Sequence, residues 1–141
     1  MKKLISFLSA ILLTLFFISC SSDDDNPASS NNPTVSGSWK GKATLMGISI
    51  GSLDANLSQS GNTISGSSKI YGAMLGNNDT LDCSASGTNN YPNVSFTSTA
   101  QAPGGMYSLT FSGKFISSDS LSGTFKDNGS GVSYTMGMKK Q

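Results

Sequence analysis

The stretch Tyr107–Phe115 (YSLTFSGKF) decides the fold, because apolar and polar residues alternate along it. In an extended chain successive side chains point to opposite faces. One face of this segment therefore carries Tyr107, Leu109, Phe111, Gly113 and Phe115, and the other carries Ser108, Thr110, Ser112 and Lys114. A period of two predicts a β-strand with one buried face and one solvated face.

The same alternation occurs in seven other segments, which are separated by turns rich in Gly, Asn, Asp, Pro and Ser. A change of parity between Ile50 and Leu53 predicts a β-bulge near Gly51. The inward residues of the seven segments are Trp39, Gly41, Ala43, Leu45; Leu53, Ala55, Leu57; Ile64, Gly66, Ser68, Ile70; Leu81, Cys83, Ala85; Val94, Phe96, Ser98, Ala100; Leu121, Gly123, Phe125; and Val132, Tyr134, Met136, Met138.

Eight consecutive short strands with one apolar face predict an all-β fold, an eight-stranded antiparallel up-and-down barrel. Closure of the sheet buries the apolar face and removes the exposed edges. A sandwich of two sheets is the alternative. Lys, Ser and Thr at the outward positions argue against a membrane-spanning barrel, whose outer surface would be apolar.

The first residues have a different character from the rest. Lys2 and Lys3 precede an apolar run to Ile18, which is shorter than the roughly 20 residues of a membrane-spanning helix. Residues 1–19 are therefore predicted to be a signal peptide. Residues 20–36, rich in Ser, Asn, Asp and Pro, are predicted to form a flexible tether, and residues 37–141 form the barrel domain.

The boundary Phe17-Ile18-Ser19-Cys20 resembles a bacterial lipobox. The resemblance implies cleavage before Cys20 and lipidation of its sulfur, so the chain would be held at a membrane by acyl chains. The following Ser-Ser-Asp-Asp-Asp resembles the export tag of Bacteroidota surface lipoproteins. Localisation at the outer membrane or cell surface is what that similarity implies, with the membrane as a partner through the lipid anchor.

Gly37-Ser38-Trp39 resembles the GxW signature of calycins, the group that contains lipocalins and avidins. The resemblance implies that Trp39 closes the base of a lipocalin-like barrel, beside the last-strand residues Met138 and Lys140. Lipocalins stack an Arg over this Trp, and the chain contains none, so a lysine of the last strand would replace it by a cation–π contact. The single Trp argues against an avidin-like biotin site.

The charged residues are nine Lys and eight Asp, without Arg, Glu or His. Most acid–base, triad and metal-hydrolase chemistry lacks its usual residues, so we expect no enzyme, no metal and no cofactor. Removal of residues 1–19 leaves seven Lys against eight Asp, a net charge of −1. That balance predicts no nucleic-acid partner.

Two functions remain open from the sequence. In the first, a membrane-anchored barrel binds a small apolar ligand at the end opposite Trp39, among Leu45, Met74, Leu75, Leu81, Tyr107, Phe125 and Val132. In the second, small inward residues let the barrel pack without a pocket, and it acts as a cell-surface interaction or structural module. We expect a monomer in either case.

Two short motifs, Asp79-Thr80-Leu81 and Asp119-Ser120-Leu121, resemble the Asp-Ser/Thr-aliphatic sequence at which Bacteroidota surface proteins are O-glycosylated. The resemblance implies glycosylation at Thr80 and Ser120. Both sites follow turn residues, where access for a modifying enzyme is good.

Overall fold

A computed structural model describes residues 31–75, 79–102 and 104–141 of the chain. Asn32–Gln141 forms one compact unit. The predicted signal peptide and Cys20 lie outside the described residues.

Eight antiparallel strands form one closed barrel in which each strand pairs with the next and the last pairs with the first. The predicted all-β, eight-stranded up-and-down barrel is confirmed, and the sandwich alternative is wrong. A single 3₁₀ turn, Ala73–Leu75, lies between the third and fourth strands. The strands are β1 (Gly37–Leu45), β2 (Ile48–Ser60), β3 (Thr63–Tyr71), β4 (Thr80–Asn90), β5 (Asn93–Ala102), β6 (Gly105–Ser117), β7 (Ser120–Asp127) and β8 (Ser133–Lys140).

Side-chain parity follows the alternation in the sequence along most of the barrel. The predicted inward positions of Leu45 and Val132 are wrong, because both residues lie at or beyond strand ends, where they are 39% and 40% exposed. In β6, Leu109, Phe111 and Phe115 are buried, while Ser112 and Lys114 are exposed. Period-two burial of this kind is the geometric consequence of the pleat. The barrel therefore has an apolar interior and a polar outer wall.

Two bulges interrupt the regular pairing. The register of β1 against β2 shifts between Ala43 and Thr44, where Ile50 has no direct partner, and this is the bulge predicted near Gly51. A second shift lies between Phe115 and Ser117 of β6. Ile116 has no direct partner there and lies on the outer wall, 62% exposed, as alternation after the buried Phe115 requires.

Small residues let the strands approach each other closely. Gly113 of β6 pairs with Gly123 of β7, and a Cβ atom on Gly123 would overlap the backbone of Ser112 and Gly113. Across the interior, the Ser68 hydroxyl donates to the Ser98 hydroxyl at 2.8 Å. The small inward residues therefore allow close contact between neighbouring strands and between Ser68 of β3 and Ser98 of β5.

The buried apolar side chains form one continuous cluster inside the barrel. Eight strands make a barrel just wide enough for side chains to fill. The largest fully buried side chains are Trp39, Phe96, Phe111, Phe125, Leu53, Ile64, Ile70, Leu109, Leu121 and Met136.

The glycine pair generates a prediction about stability. Gly123→Ala should lower the free energy of unfolding by about 1–3 kcal/mol, because the added methyl group overlaps the backbone of β6. Gly137→Ala is the matched control on the neighbouring strand, since a Cβ there meets no atom within 4 Å. Urea denaturation followed by circular dichroism measures both. Equal stabilities of the two variants would show that β6 and β7 do not need this close approach.

Candidate functional site

The two ends of the barrel differ in how they are closed. The chain enters β1 and leaves β8 at one end, which we call the base. The β1–β2 turn at Met46–Gly47 and the 3₁₀ turn Ala73–Leu75 lie at the other end, which we call the rim. The predicted ligand-binding residues belong to the rim, and Trp39 belongs to the base.

Trp39 is 1% exposed and closes the base. Its indole N–H donates to the backbone oxygen of Val35 at 2.7 Å, and its ring meets that of Phe115 edge-on with centroids 6.4 Å apart. Lys140, the predicted neighbour, has its Nζ atom 5.8 Å from the centre of the indole ring. That distance is within reach of a cation–π contact. Met138 is buried in the core.

The residues just before β1 complete the base, although the sequence analysis assigned them to the tether. Val35 is fully buried, and its N–H donates to Oε1 of Gln59 at 3.0 Å. The side-chain amide of Asn89 donates to the same oxygen and to the backbone oxygen of Pro33. Val35 is the one large apolar residue of residues 21–36 and shares the parity of Trp39, a signal that the sequence contained.

The rim is covered by the 3₁₀ turn. Met74 is buried in the core, and its backbone oxygen accepts a 2.9 Å hydrogen bond from the hydroxyl of Tyr107. Burial raises the pKa of Tyr107 to about 12, and the negative charge of Asp127 adds to this effect. Met74 therefore acts as a plug that is tied to β6.

The structure distributes the seven predicted ligand-binding residues among three environments. Met74 and Phe125 are part of the packed core. Leu75, Leu81 and Tyr107 are partly buried and pack against that core. Leu45 and Val132 are 39% and 40% exposed at the rim. The set therefore spans the packed core, the margin of that core and the exposed rim.

The polar groups at the rim serve turn structure. The backbone N–H of Gly129 and the hydroxyl of Ser130 donate to the Asp127 carboxylate at 2.8 and 2.6 Å. Burial raises the pKa of Asp127, but these hydrogen bonds outweigh it and lower the pKa overall. Over the part of the chain that the structure describes, no group of three His, Cys, Asp or Glu side chains could hold a metal.

Cys83 and the two proposed glycosylation sites have distinct surroundings. Cys83 is buried inside the barrel, and burial raises the pKa of its thiol. Thr80, the first residue of β4, is exposed. Ser120, the first residue of β7, is partly buried. The raised thiol pKa keeps Cys83 protonated at neutral pH, which makes it a poor nucleophile.

A wide groove lies on the outer wall of the barrel. It has a volume of about 1070 Å³ and crosses the wall from β3 over β2, β1, β8 and β7 to β6. Tyr71 lies at its β3 side and Ile116 at its β6 side, and Gly137 of β8 lies between them. We call this cavity the outer-wall groove.

Lysine side chains dominate the charge of the outer-wall groove. Lys40, Lys42 and Lys139 line it, together with one carboxylate, that of Asp54. Lys40 and Lys139 lie directly opposite each other on β1 and β8, and like charges in such positions repel. The hydroxyl of Tyr71 donates to Asp54 at 3.3 Å. No local sequence pattern predicts this groove, because its residues come from six strands that are distant in the chain.

No protein-family model matches the chain, and no curated protein matches it in sequence. The closed eight-stranded antiparallel barrel is compatible with a calycin-like fold. Among the described residues, no helix is both long enough and apolar enough to cross a membrane.

The base generates a second prediction. Trp39→Ala should lower the free energy of unfolding by about 3–5 kcal/mol, because it empties a buried site and removes the indole hydrogen bond. Met106→Ala, at a side chain that is largely exposed, is the control and should change stability by no more than about 0.5 kcal/mol. A loss below about 1 kcal/mol for Trp39→Ala would contradict the assigned role of the ring.

Proposed function

We propose that this chain is a membrane-anchored lipoprotein whose packed barrel acts as a non-catalytic interaction module at the cell surface. The observation that carries the proposal is the filled interior, with Met74 over the rim and Trp39 across the base. Because large buried side chains pack the inside of the described barrel, the proposal assigns recognition to the outer wall, where the outer-wall groove lies.

Three further features support the proposal. The segment before Cys20 has the apolar length and the boundary of a lipoprotein signal. The chain reaches the barrel at its base, so the wall remains accessible if an anchor precedes residue 33. The absence of His, Glu and Arg from the sequence favours binding over catalysis.

The proposal predicts that the wild-type barrel excludes apolar ligands. Titration with an environment-sensitive long-chain fatty-acid dye should give no saturable fluorescence change, because large buried side chains pack the inside of the described barrel and a site for such a ligand needs about 300 Å³ or more. A parallel arm with benzene as the ligand has Phe125→Ala as its positive control, since deleting a fully buried ring creates an apolar void that admits benzene-sized molecules. Stoichiometric dye binding by the wild type would instead support the small-ligand alternative.

The anchor is tested separately. Labelling cells with radioactive palmitate should mark the wild-type chain, and Cys20→Ala should abolish the label, since Cys20 is the residue at the lipobox position. Cys83→Ala removes the buried thiol and is the matched control that should stay labelled. Unchanged labelling of Cys20→Ala would refute the anchor without bearing on the packed interior.

A further inference from the structure

Gly137 has no structural reason to be a glycine. It occupies an exposed, outward position in the middle of β8, between Lys42 of β1 and Ser122 of β7. A Cβ atom there would meet nothing within 4 Å, unlike one at Gly113 or Gly123. Glycine inside a strand weakens it, and it often marks a place where a ligand or another backbone approaches closely.

Because Gly137 has no side chain, the backbone at this position forms the floor of the outer-wall groove. Gly137 lies at the centre of the groove, and the lysines of β1 and β8 stand around it. Any larger residue at this position would fill the space between Lys42 and Ser122. The glycine therefore keeps a channel open across the wall.

The lysines around this floor have both like-charged and oppositely charged neighbours, since Lys40 lies opposite Asp54 on β2 as well as opposite Lys139 on β8. The Cα atoms of Lys40 and Lys42 lie about 7 Å apart, and both side chains are on the same face of β1. Lys139 is 3.7 Å from the Asp119 carboxylate. The salt bridges among the residues that the structure describes include neither Lys40 nor Lys42. Two adjacent ammonium groups thus remain available to an external anion.

The wall as a whole carries an uneven charge. Six of the seven lysines after residue 36 lie on β6, β7, β8 and β1, namely Lys114, Lys126, Lys139, Lys140, Lys40 and Lys42. The aspartates of the remaining half are Asp54, Asp79 and Asp82, with Lys69 as the remaining lysine. Such an asymmetry steers an anionic partner towards the groove side of the barrel.

We propose that the outer-wall groove binds a sulfated glycan chain, which lies over Gly137 with its sulfate groups on Lys40 and Lys42. This inference rests on the proposed function and names the partner class of the module.

The lysine ammonium groups and the serine hydroxyl groups of the outer-wall groove both favour a sulfated glycan as the ligand. An ammonium is a compact point charge with three donors and suits a tetrahedral oxyanion, whereas planar carboxylates are best matched by the fork of Arg, which the chain lacks. Ser52, Ser120 and Ser122 add hydroxyl groups along the groove that can bond to sugar hydroxyls.

Other polyanions fit the groove less well. An extended acidic peptide cannot add as a strand, because the closed barrel has no free edge. A single-stranded nucleic acid needs several aromatic rings for its bases, and the aromatic side chain lining the groove is Tyr71 alone. A flat bilayer surface cannot reach the floor at Gly137 between the lysine side chains.

The test measures binding of a heparin oligosaccharide to the full chain in detergent by isothermal titration calorimetry. We expect saturable binding that weakens as ionic strength rises. Lys42→Ser should weaken it about fivefold. Lys126→Ser removes the same charge from the outer wall away from the groove and should leave the affinity nearly unchanged.

Gly137→Thr separates binding from folding. A β-branched residue at this open position should keep or raise the melting temperature, yet it should weaken heparin binding about tenfold or more by filling the floor. Unchanged heparin affinity of Gly137→Thr, or equal losses for Lys42→Ser and Lys126→Ser, would overturn the site.

Other anionic ligands serve as controls for the assignment of a sulfated glycan. Poly-aspartate, single-stranded DNA and vesicles containing phosphatidylglycerol should bind more weakly than heparin, and an equal or tighter affinity for any of them would overturn the glycan assignment. Absence of heparin binding to the wild type would also overturn it. That result would not contradict the packed interaction module, which the fatty-acid dye titration tests. The two proposals can therefore fail separately.

Discussion

The hydrogen-bonded pairing of β8 with β1 is the constraint on which the rest of this structure depends. It runs from Trp39 opposite Lys140 to Thr44 opposite Thr135 and joins the last strand to the first. An unpaired strand edge exposes a row of donors and acceptors. Closure satisfies these groups, and it turns the apolar faces of all eight strands towards a single enclosed volume.

Once the sheet is closed, the interior must be filled by the residues that point inwards. Large rings such as Phe96, Phe111 and Phe125 fill part of the space. Where the inward residues are small, the walls approach each other until Ser68 and Ser98 form a hydrogen bond. A void would forfeit dispersion contacts on every lining atom. The inward side chains therefore pack together as one continuous cluster.

The outer wall obeys a weaker set of constraints. Solvated positions tolerate Ser, Thr and Lys almost equally, so stability alone does not select a particular residue there. A glycine at position 137 weakens the strand that contains it. Lys40 and Lys139 repel each other across the strand pair, and the nearby carboxylates of Asp54 and Asp119 offset part of that repulsion.

The sequence by itself determined the strands, their faces, the bulge near Gly51 and the role of Trp39 as a large inward residue, because side-chain alternation and turn chemistry are local properties. It left the fate of the interior open, and it did not reveal the base contacts of Val35 or the plug at Met74. Only the tertiary structure decided these features. Whether small residues leave a cavity depends on how far strands distant in the chain approach one another, and the outer-wall groove exists only where six strands meet side by side.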